Sequence, residues 1–334
     1  MSKSCFPIVL LALIVLLSLG FGMVGPAVAT KGSYPGANGR VAFIAYDPSS
    51  GFSHIFVMGD DGTNIQRITP SGFNVEYLCW SPDGTKIAFT GFISPAGRVV
   101  WVINPDGTGL RQVSTTTNND YAPAWSPDGK KIAYYRRTVT TNDIYVIDAD
   151  TTGPGALLIQ VAEAPSWSPD EERIVFTRSD GNIYLADATT GLQIGGALAE
   201  GVNPCWSPDG SKIVFVRNAE IWVMNADGSN QQQLTSPVGD LVDGDPNWSP
   251  DGTKIIFARR PSSIWIMNAD GSNQHDLTPT MIGADAPDYQ TISPRPVGGF
   301  VMHVSKLEIL TPYLALAGLI VAVSAVVVVR RRQA

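Results

Sequence analysis

The sequence has few of the residues that most enzymes use for chemistry. It contains three histidines and three cysteines in 334 residues. The spacings HExxH and CxxC, which build common zinc sites, do not occur. The G-x-S-x-G turn of the α/β-hydrolases is also missing. These absences argue against a transition-metal enzyme and against a serine hydrolase of that class, and no cofactor is expected.

Basic residues are also in deficit once the two chain ends are set aside. Four of the 23 lysines and arginines lie outside residues 30–308, whereas all 30 acidic residues lie within them. This part of the chain therefore carries a net charge of about −11. A nucleic-acid-binding protein needs a basic face to meet the phosphates, so we expect no nucleic-acid partner.

Long apolar runs lie at the two ends. Lys3, the run Ile8–Leu19 and the small-residue site Ala27–Ala29 predict a signal peptide, with an uncleaved anchor as the alternative. The uncharged run Ile309–Val329 is long enough to span a membrane, and the arginine cluster 330–332 follows it. We therefore predict an extracytoplasmic domain that a C-terminal helix anchors at the cell surface. A helix buried in a soluble core is the alternative for the second run.

Between these runs a five-residue phrase repeats. WSPDG begins at four tryptophans, and a fifth copy keeps WSPD but ends in Glu171, for which we expect a looser turn. A period of about 40 residues with strand-like segments is typical of β-propeller blades. Ser-Pro-Asp-Gly suits a type I turn, and we interpret the tryptophans as structural contacts of each blade. These tryptophans are Trp80, Trp125, Trp167, Trp206 and Trp248.

Each copy of the phrase is followed by a short apolar segment such as Lys-Ile-Ala-Phe (Lys86–Phe89), which we call a KIAF strand. Strands of this type begin near residues 40, 86, 131, 173, 212 and 254 and predict six four-stranded antiparallel blades. The segment Ala286–Pro294, with Ile292 in the tryptophan position, would supply the innermost strand of the first blade and close the ring. Cys79 and Cys205 would then lie half a ring apart, too far for a disulfide. The predicted fold class is an all-β, six-bladed β-propeller plus one C-terminal transmembrane helix.

The predicted domains follow from these signals. They are a signal peptide (1–29), a short N-terminal segment (30–39), the propeller (40–294), a linker (295–308), the transmembrane helix (309–329) and a cytoplasmic basic tail (330–334).

The stretches APAWSPDGKKIAYY (122–135) and IWVMNADGSNQQQLT (221–235) resemble the propeller repeats of the TolB family. The resemblance covers roughly residues 40–292 and implies the propeller fold. We expect no counterpart here of the α/β domain that precedes the propeller in periplasmic TolB, so the partner of that protein is not carried over. Pro296–Phe300, the apolar run and the arginines resemble the C-terminal anchors of archaeal surface proteins.

Loops of varied length and sequence are predicted on one face of the propeller, where binding residues usually lie. Large aromatic and arginine side chains on these loops are the predicted binding residues, because such side chains dominate interfaces. They are Tyr46, Phe52, Phe92, Tyr121, Arg136, Arg137, Arg259 and Arg260.

An acidic residue is predicted at the start of each innermost strand, so that a ring of carboxylates surrounds the axial channel. Such a ring suits Ca²⁺ or a basic peptide, although solvated loop ends are the simpler interpretation. The six residues are Glu76, Asp120, Glu163, Glu200, Asp245 and Asp285.

Three functions fit this sequence. The first, which we favour, is a non-catalytic module that binds an envelope protein, peptide or glycan. The second is a Ca²⁺-dependent hydrolase, lactonase or lyase that uses the acidic channel. The third is a structural spacer of the envelope. The fold alone does not choose between them.

Overall fold

The structure is a computed structural model that describes residues 36–92, 97–115, 119–260, 263–278 and 283–292. In these ranges, 24 strands form six sheets of four antiparallel strands each. The predicted all-β, six-bladed propeller is therefore confirmed. We number the strands in chain order and call the sheets blades 1 to 6, beginning with the blade that contains the first strand.

Each blade has an innermost, a second, a third and an outer strand. The innermost strands are β24 (Asp285–Ile292), β4 (Asn74–Trp80), β8 (Asn119–Trp125), β12 (Glu163–Trp167), β16 (Val202–Trp206) and β20 (Val242–Trp248). The second strands are β1 (Ala37–Asp47), β5 (Ile87–Phe92), β9 (Lys131–Arg137), β13 (Arg173–Thr177), β17 (Lys212–Arg217) and β21 (Lys254–Arg260). The third strands are β2 (Phe52–Met58), β6 (Val99–Ile103), β10 (Asn142–Asp148), β14 (Asn182–Asp187), β18 (Glu220–Asn225) and β22 (Ser263–Asn268). The outer strands are β3 (Gln66–Arg67), β7 (Arg111–Gln112), β11 (Ala156–Ile159), β15 (Gln193–Glu200), β19 (Gln232–Gln233) and β23 (His275–Asp276).

Blade 1 is built from both ends of the described chain. Strand β24 supplies its innermost strand and pairs antiparallel with β1, from Ile44 opposite Asp285 to Ala37 opposite Ile292. The last strand thus closes the ring onto the first, as predicted, and gives blade 1 four strands like the other blades.

The residue that replaces tryptophan in blade 1 differs from the prediction. In the other five blades the tryptophan pairs with the isoleucine of the second strand, as Trp80 does with Ile87. In blade 1 the equivalent pair is Tyr289 with Val41, and Tyr289 is only 3% exposed. Ile292, which we placed there, lies three residues further along and is 52% exposed. The Ser-Pro after Ile292 resembles the repeated phrase but lies outside the repeat.

The repeated phrase forms a tight turn that its own polar side chains hold. The Ser81 hydroxyl donates to Asp83 at 2.6 Å and accepts from the Lys86 amide at 2.9 Å. The Gly84 amide donates to the Ser81 carbonyl at 2.9 Å, and Gly84 has a φ of +67°. A glycine adopts this left-handed conformation without steric cost.

The turn that lacks this glycine keeps the same hydrogen-bond pattern, and its closing bond is only slightly longer than the 2.8–2.9 Å of the other four turns, so little of the predicted loosening is present. The Glu171 amide donates to the Ser168 carbonyl at 3.1 Å, and the Arg173 amide donates to the Ser168 hydroxyl at 2.9 Å. Glu171 itself takes a φ of +63°. The hydrogen bonds therefore impose the glycine conformation on a residue that disfavours it.

The core lies between the blades. The five repeated tryptophans are buried, and the aromatic residue of each KIAF segment is also buried. One apolar cluster joins Ala88 and Val100 of blade 2 to Trp125 and Ile132 of blade 3, and other clusters bridge other neighbouring blades. This burial of apolar surface between blades stabilises the ring.

The predicted signal peptide, linker, transmembrane helix and basic tail lie outside the described residues. Within the described ranges no helix has the length and apolar character that crossing a membrane requires.

Candidate functional site

The two faces of the propeller differ in their connections. The turn face carries the WSPDG turns and the turns between the third and outer strands. The loop face carries the connections from second to third strands and from each blade to the next. On the axis, a cavity of about 250 Å³ is lined by residues from the innermost strands of all six blades. We call its loop-face end the mouth.

Each innermost strand has a β-bulge near the mouth. The residue at this position has a positive φ, between +46° and +52°, although none of the six is glycine. All six line the cavity, and we call them the bulge ring: Tyr77, Ala122, Ala164, Asn203, Asp245 and Ala286. Bulges redirect side chains, and left-handed backbone at non-glycine residues is concentrated at functional sites.

Polar groups cluster on one side of the mouth. Arg260 donates to Asp245 at 2.7 Å and to both oxygens of Asp285 at 3.0–3.1 Å. The Asn203 amide group donates to Asp245 at 2.9 Å. Burial and the neighbouring Asp285 raise the pKa of Asp245 to about 7, although Arg260 opposes the shift. The charge of this side therefore changes near neutral pH.

Aromatic side chains form the other side of the mouth. The rings of Tyr121 and Tyr135 stack at 5.2 Å, and Tyr77 meets Tyr121 edge to face at 6.3 Å. Tyr77 and Tyr135 both line the cavity. Tyr77 is 37% exposed, which leaves its ring available to a ligand. Burial raises the pKa of both Tyr77 and Tyr135, so these phenols stay neutral.

A second ion pair lies beside the tyrosines. Arg98 donates to both carboxylate oxygens of Glu76, at 2.8 and 2.9 Å. The same guanidinium lies over the rings of Phe92 and Tyr121, at 4.8 and 5.6 Å. Phe92 and Tyr121, both predicted binding residues, are thus held against the mouth by Arg98.

The predicted ring of six carboxylates is only partly present. Glu163 and Asp245 line the cavity, and Asp285 and Glu76 lie beside the mouth in ion pairs. Asp120 is fully buried, where it binds Arg136, so it is a core residue. Glu200 is exposed and is the last residue of the outer strand β15. Gly201 separates it from the innermost strand β16, so Glu200 does not begin an innermost strand. Among the described residues no three histidine, cysteine, aspartate or glutamate side chains are grouped to hold a metal.

Two predicted binding arginines are structural. Arg136 is 6% exposed, binds Asp120 at 2.7 Å and lies 4.2 Å from the centre of the Tyr145 ring. Arg259 repeats this arrangement in blade 6, with Asp243 at 2.6 Å and the Trp265 ring at 4.2 Å. In each blade, the pairing register of the innermost and second strands places the aspartate opposite its arginine. Both were predicted on exposed loops, and the structure places both within the blades.

The other predicted residues reach the surface. Arg137 is exposed beside Arg136, and Arg260 is exposed while paired with two aspartates at the mouth. Tyr46 and Phe52 are 46% and 38% exposed at the hairpin between β1 and β2, also on the loop face. The predicted residues therefore do not form one patch, and the mouth holds only part of them.

The sequence prediction missed Tyr77, Tyr135, Asn203 and Arg98. Tyr77 and Asn203 each stand three residues before a repeated tryptophan, as Ala122, Ala164 and Asp245 do. If the repeats are aligned on their tryptophans, the residues at this one position identify the bulge ring. Tyr135 and Arg98 lie on other strands and give no such signal.

Cys79 and Cys205 also line the cavity, deeper than the bulge ring, and neither forms a disulfide with another described residue. Cys205 lies 2.9 Å from the Asn247 side-chain oxygen, and burial raises the pKa of its thiol to about 12. This thiol stays protonated at neutral pH and is a poor nucleophile.

Comparison with known proteins identifies the class of protein. A family model described as the TolB beta propeller domain matches residues 30–181 and 160–296. The chain therefore belongs to the TolB β-propeller family, and the resemblance inferred from its repeats is confirmed. No curated protein sequence matches the chain.

Solved structures agree on the fold. TolB from Acinetobacter baumannii is 21% identical with a TM-score of 0.66, over 78% of this chain and 68% of that one. A putative TolB from Agrobacterium tumefaciens is 21% identical with a TM-score of 0.54, over 72% and 88%. A chain from a nidogen/laminin complex is 10% identical with a TM-score of 0.62, over 76% and 99%. At these identities the likeness establishes the fold alone.

Proposed function

We propose that the protein is a non-catalytic binding module of the cell envelope, which holds a protein, peptide or glycan at the mouth on its loop face. The observation that carries this proposal is the bulge ring. Six innermost strands each bear a non-glycine residue in the left-handed conformation beside one cavity. Left-handed conformations cost free energy at non-glycine residues, and they are concentrated at ligand-binding and other functional sites.

The composition of the mouth supports recognition of a ligand. A half-exposed tyrosine, a stacked tyrosine pair and two arginine–carboxylate groups lie around a cavity smaller than most drug-sized pockets. Aromatic and arginine side chains dominate binding interfaces. The nidogen/laminin structure shows that a propeller of similar fold occurs in a protein complex.

We also propose that the run 309–329 anchors the protein in the membrane by a single helix, with the basic tail 330–334 in the cytoplasm and the propeller outside it.

Two alternatives remain as outcomes of the test. A Ca²⁺-dependent hydrolase, lactonase or lyase needs several converging oxygen ligands, and the described carboxylates of the mouth are mostly engaged by arginines. A structural spacer needs no ligand at the mouth.

The test uses the full chain in a mild detergent, immobilised and probed with defined peptide and glycan libraries. We expect a ligand whose binding Tyr77→Ala weakens about tenfold or more, as for an interface hot spot. Alanine already stands at the same position in three blades, as Ala122, Ala164 and Ala286, so the variant should fold. The matched control is Val139→Ala, a fully exposed loop-face residue away from the mouth.

Binding that Tyr77→Ala leaves unchanged would refute the site. Turnover of a bound glycan or ester that requires Ca²⁺ would favour the enzyme instead. An absence of any ligand in both libraries would favour the spacer.

A further inference from the structure

The lining of the cavity has an unbalanced charge. Glu163, Asp245 and Asp288 line it, and no lysine or arginine is among its described lining residues. Asp288 lies deepest and accepts a hydrogen bond from the Trp80 amide at 2.7 Å. The negative groups of the cavity therefore attract a cation that comes from outside.

The arginines beside the mouth do not cancel this charge. Arg98 is held by Glu76, and Arg260 is shared by Asp245 and Asp285. Glu163 accepts a hydrogen bond from the neutral Asn142 side chain, at 2.7 Å. When all carboxylates are ionised, the carboxylates of these groups outnumber the guanidiniums. The mouth therefore has an excess of negative charge even before Asp288 is counted.

The partners of Glu163 decide which cation fits. Glu163 lines the cavity together with Tyr135, Tyr77 and Asp245. Carboxylates beside aromatic faces and neutral phenol hydroxyls suit an organic ammonium, which gains from the ring faces as well as from the charge. The described residues present no compact set of oxygen ligands for a metal.

The size of the cavity limits what carries the ammonium. A volume of about 250 Å³ is below the range of about 300–1,000 Å³ for drug-sized ligands. It therefore fits one extended side chain or one chain terminus, and excludes a folded segment.

From this geometry we infer that the mouth receives a primary ammonium group of the bound partner, between Glu163, Asp245 and the rings of Tyr77 and Tyr135. The inference rests on the proposed function and gives the chemistry of its ligand. A lysine side chain and the free N-terminus of a peptide present the same group, and the test distinguishes these two sources.

The test measures binding of two small probes to the full chain by ligand-observed NMR at pH 8. The first is Nα-acetyl-lysine methylamide and the second is glycyl-glycinamide, whose only ammonium is its N-terminus. Each is compared with the same molecule acetylated on its amine. We expect at least one amine to bind and its acetylated form to bind about tenfold more weakly or not at all, since a hydrogen-bonded charge is lost.

Two matched variants complete the test. Glu163→Gln keeps the shape of the mouth but removes one charge, and it should weaken amine binding about tenfold. Glu172→Gln removes a charge from an exposed residue on the turn face and should leave binding unchanged. Thermal unfolding of both variants verifies that they fold.

Equal binding of the amine and its acetylated form would overturn the inference, as would unchanged binding in Glu163→Gln or no binding of either amine. The proposed function fails in a different way. One result that separates the two is a partner that Tyr77→Ala no longer binds, that Glu163→Gln still binds, and whose binding does not change when its amines are acetylated. This result would keep the binding site and refute the ammonium.

Discussion

The turn face and the loop face of the propeller follow opposite rules. On the turn face the same Ser-Pro-Asp-Gly hydrogen bonds recur from blade to blade, and even Glu171 is forced into the glycine conformation. Near the loop face the equivalent bulge position holds tyrosine, alanine, asparagine or aspartate. The same side-chain hydrogen bonds recur in the blades and build the ring, whereas different side chains on the same backbone conformation form the mouth. The following predictions challenge this division, beginning with the largest effect.

The largest loss of stability is expected for an arginine that was predicted on a loop but is buried within a blade. Arg136→Ala leaves Asp120 buried without its charged partner, so the free energy of unfolding should fall by about 3–5 kcal/mol. Its exposed neighbour provides the control, and Arg137→Ala should change stability by less than about 0.5 kcal/mol. Denaturant unfolding of both variants measures the difference. Similar small losses in both would place Arg136 with the loop residues.

The next effect tests which residue takes the place of tryptophan in blade 1. Tyr289→Ala removes a buried aromatic side chain and should cost about 3–4 kcal/mol. Ile292→Ala, three residues away and half exposed, should cost about 1 kcal/mol or less. Thermal unfolding of the two variants ranks them, and a larger loss in Ile292→Ala would restore the assignment made from the Ser-Pro pair.

A smaller effect at the mouth depends on pH. Because the pKa of Asp245 is raised to about 7 in the folded protein, the unfolded chain ionises first as pH rises from about 4 to 7, and stability falls through this window. Asp245→Asn removes this loss and matches the residue at position 203. The variant should be more stable than the parent at pH 8, and this gain should disappear at pH 4. A gain of equal size at both pH values would contradict the shifted pKa.

The smallest effect restores uniformity to the turn face. Glu171→Gly places glycine where the backbone is left-handed, which should raise the free energy of unfolding by about 1 kcal/mol. Glu172→Gly, at the next position, gives the control and should not stabilise the protein. Denaturant midpoints with unchanged slopes would show the gain, and a loss in Glu171→Gly would mean that the glutamate side chain holds the turn.

The sequence predicted the blades well because each one carries its own signal. Five WSPDG-type turns and six KIAF-type strands alternate with a period of about 40 residues, and together they specify the ring and its closure. The position of Tyr289 was missed because the Ser-Pro pair after Ile292 imitates the repeated phrase, whereas Tyr289 ends the Ala-Pro-x-aromatic pattern that Trp125 and Trp167 also end. The prediction for Glu200 failed for another reason, since Gly201 alone separates two blades there and Glu200 belongs to the outer strand.

The candidate site was harder to predict because its contacts cross between strands and blades. Arg136 and Asp120 are 16 residues apart and meet only through strand register. Tyr77 and Tyr135 lie in different blades, and Arg260 joins blade 6 to blade 1. The residues of the loop face were therefore chosen by size and exposure, and only the fold sorts them into structural and accessible groups.

The central claim is that ligands bind at the mouth and not at the turn face. It is tested most directly by the affinity of one library-derived ligand for the full chain and two variants. Tyr77→Ala changes the mouth, and Lys130→Ala changes a turn-face lysine whose side chain is 79% exposed. We predict that Tyr77→Ala weakens binding about tenfold or more while Lys130→Ala leaves it unchanged. Loss of binding in Lys130→Ala with full affinity in Tyr77→Ala would contradict the account.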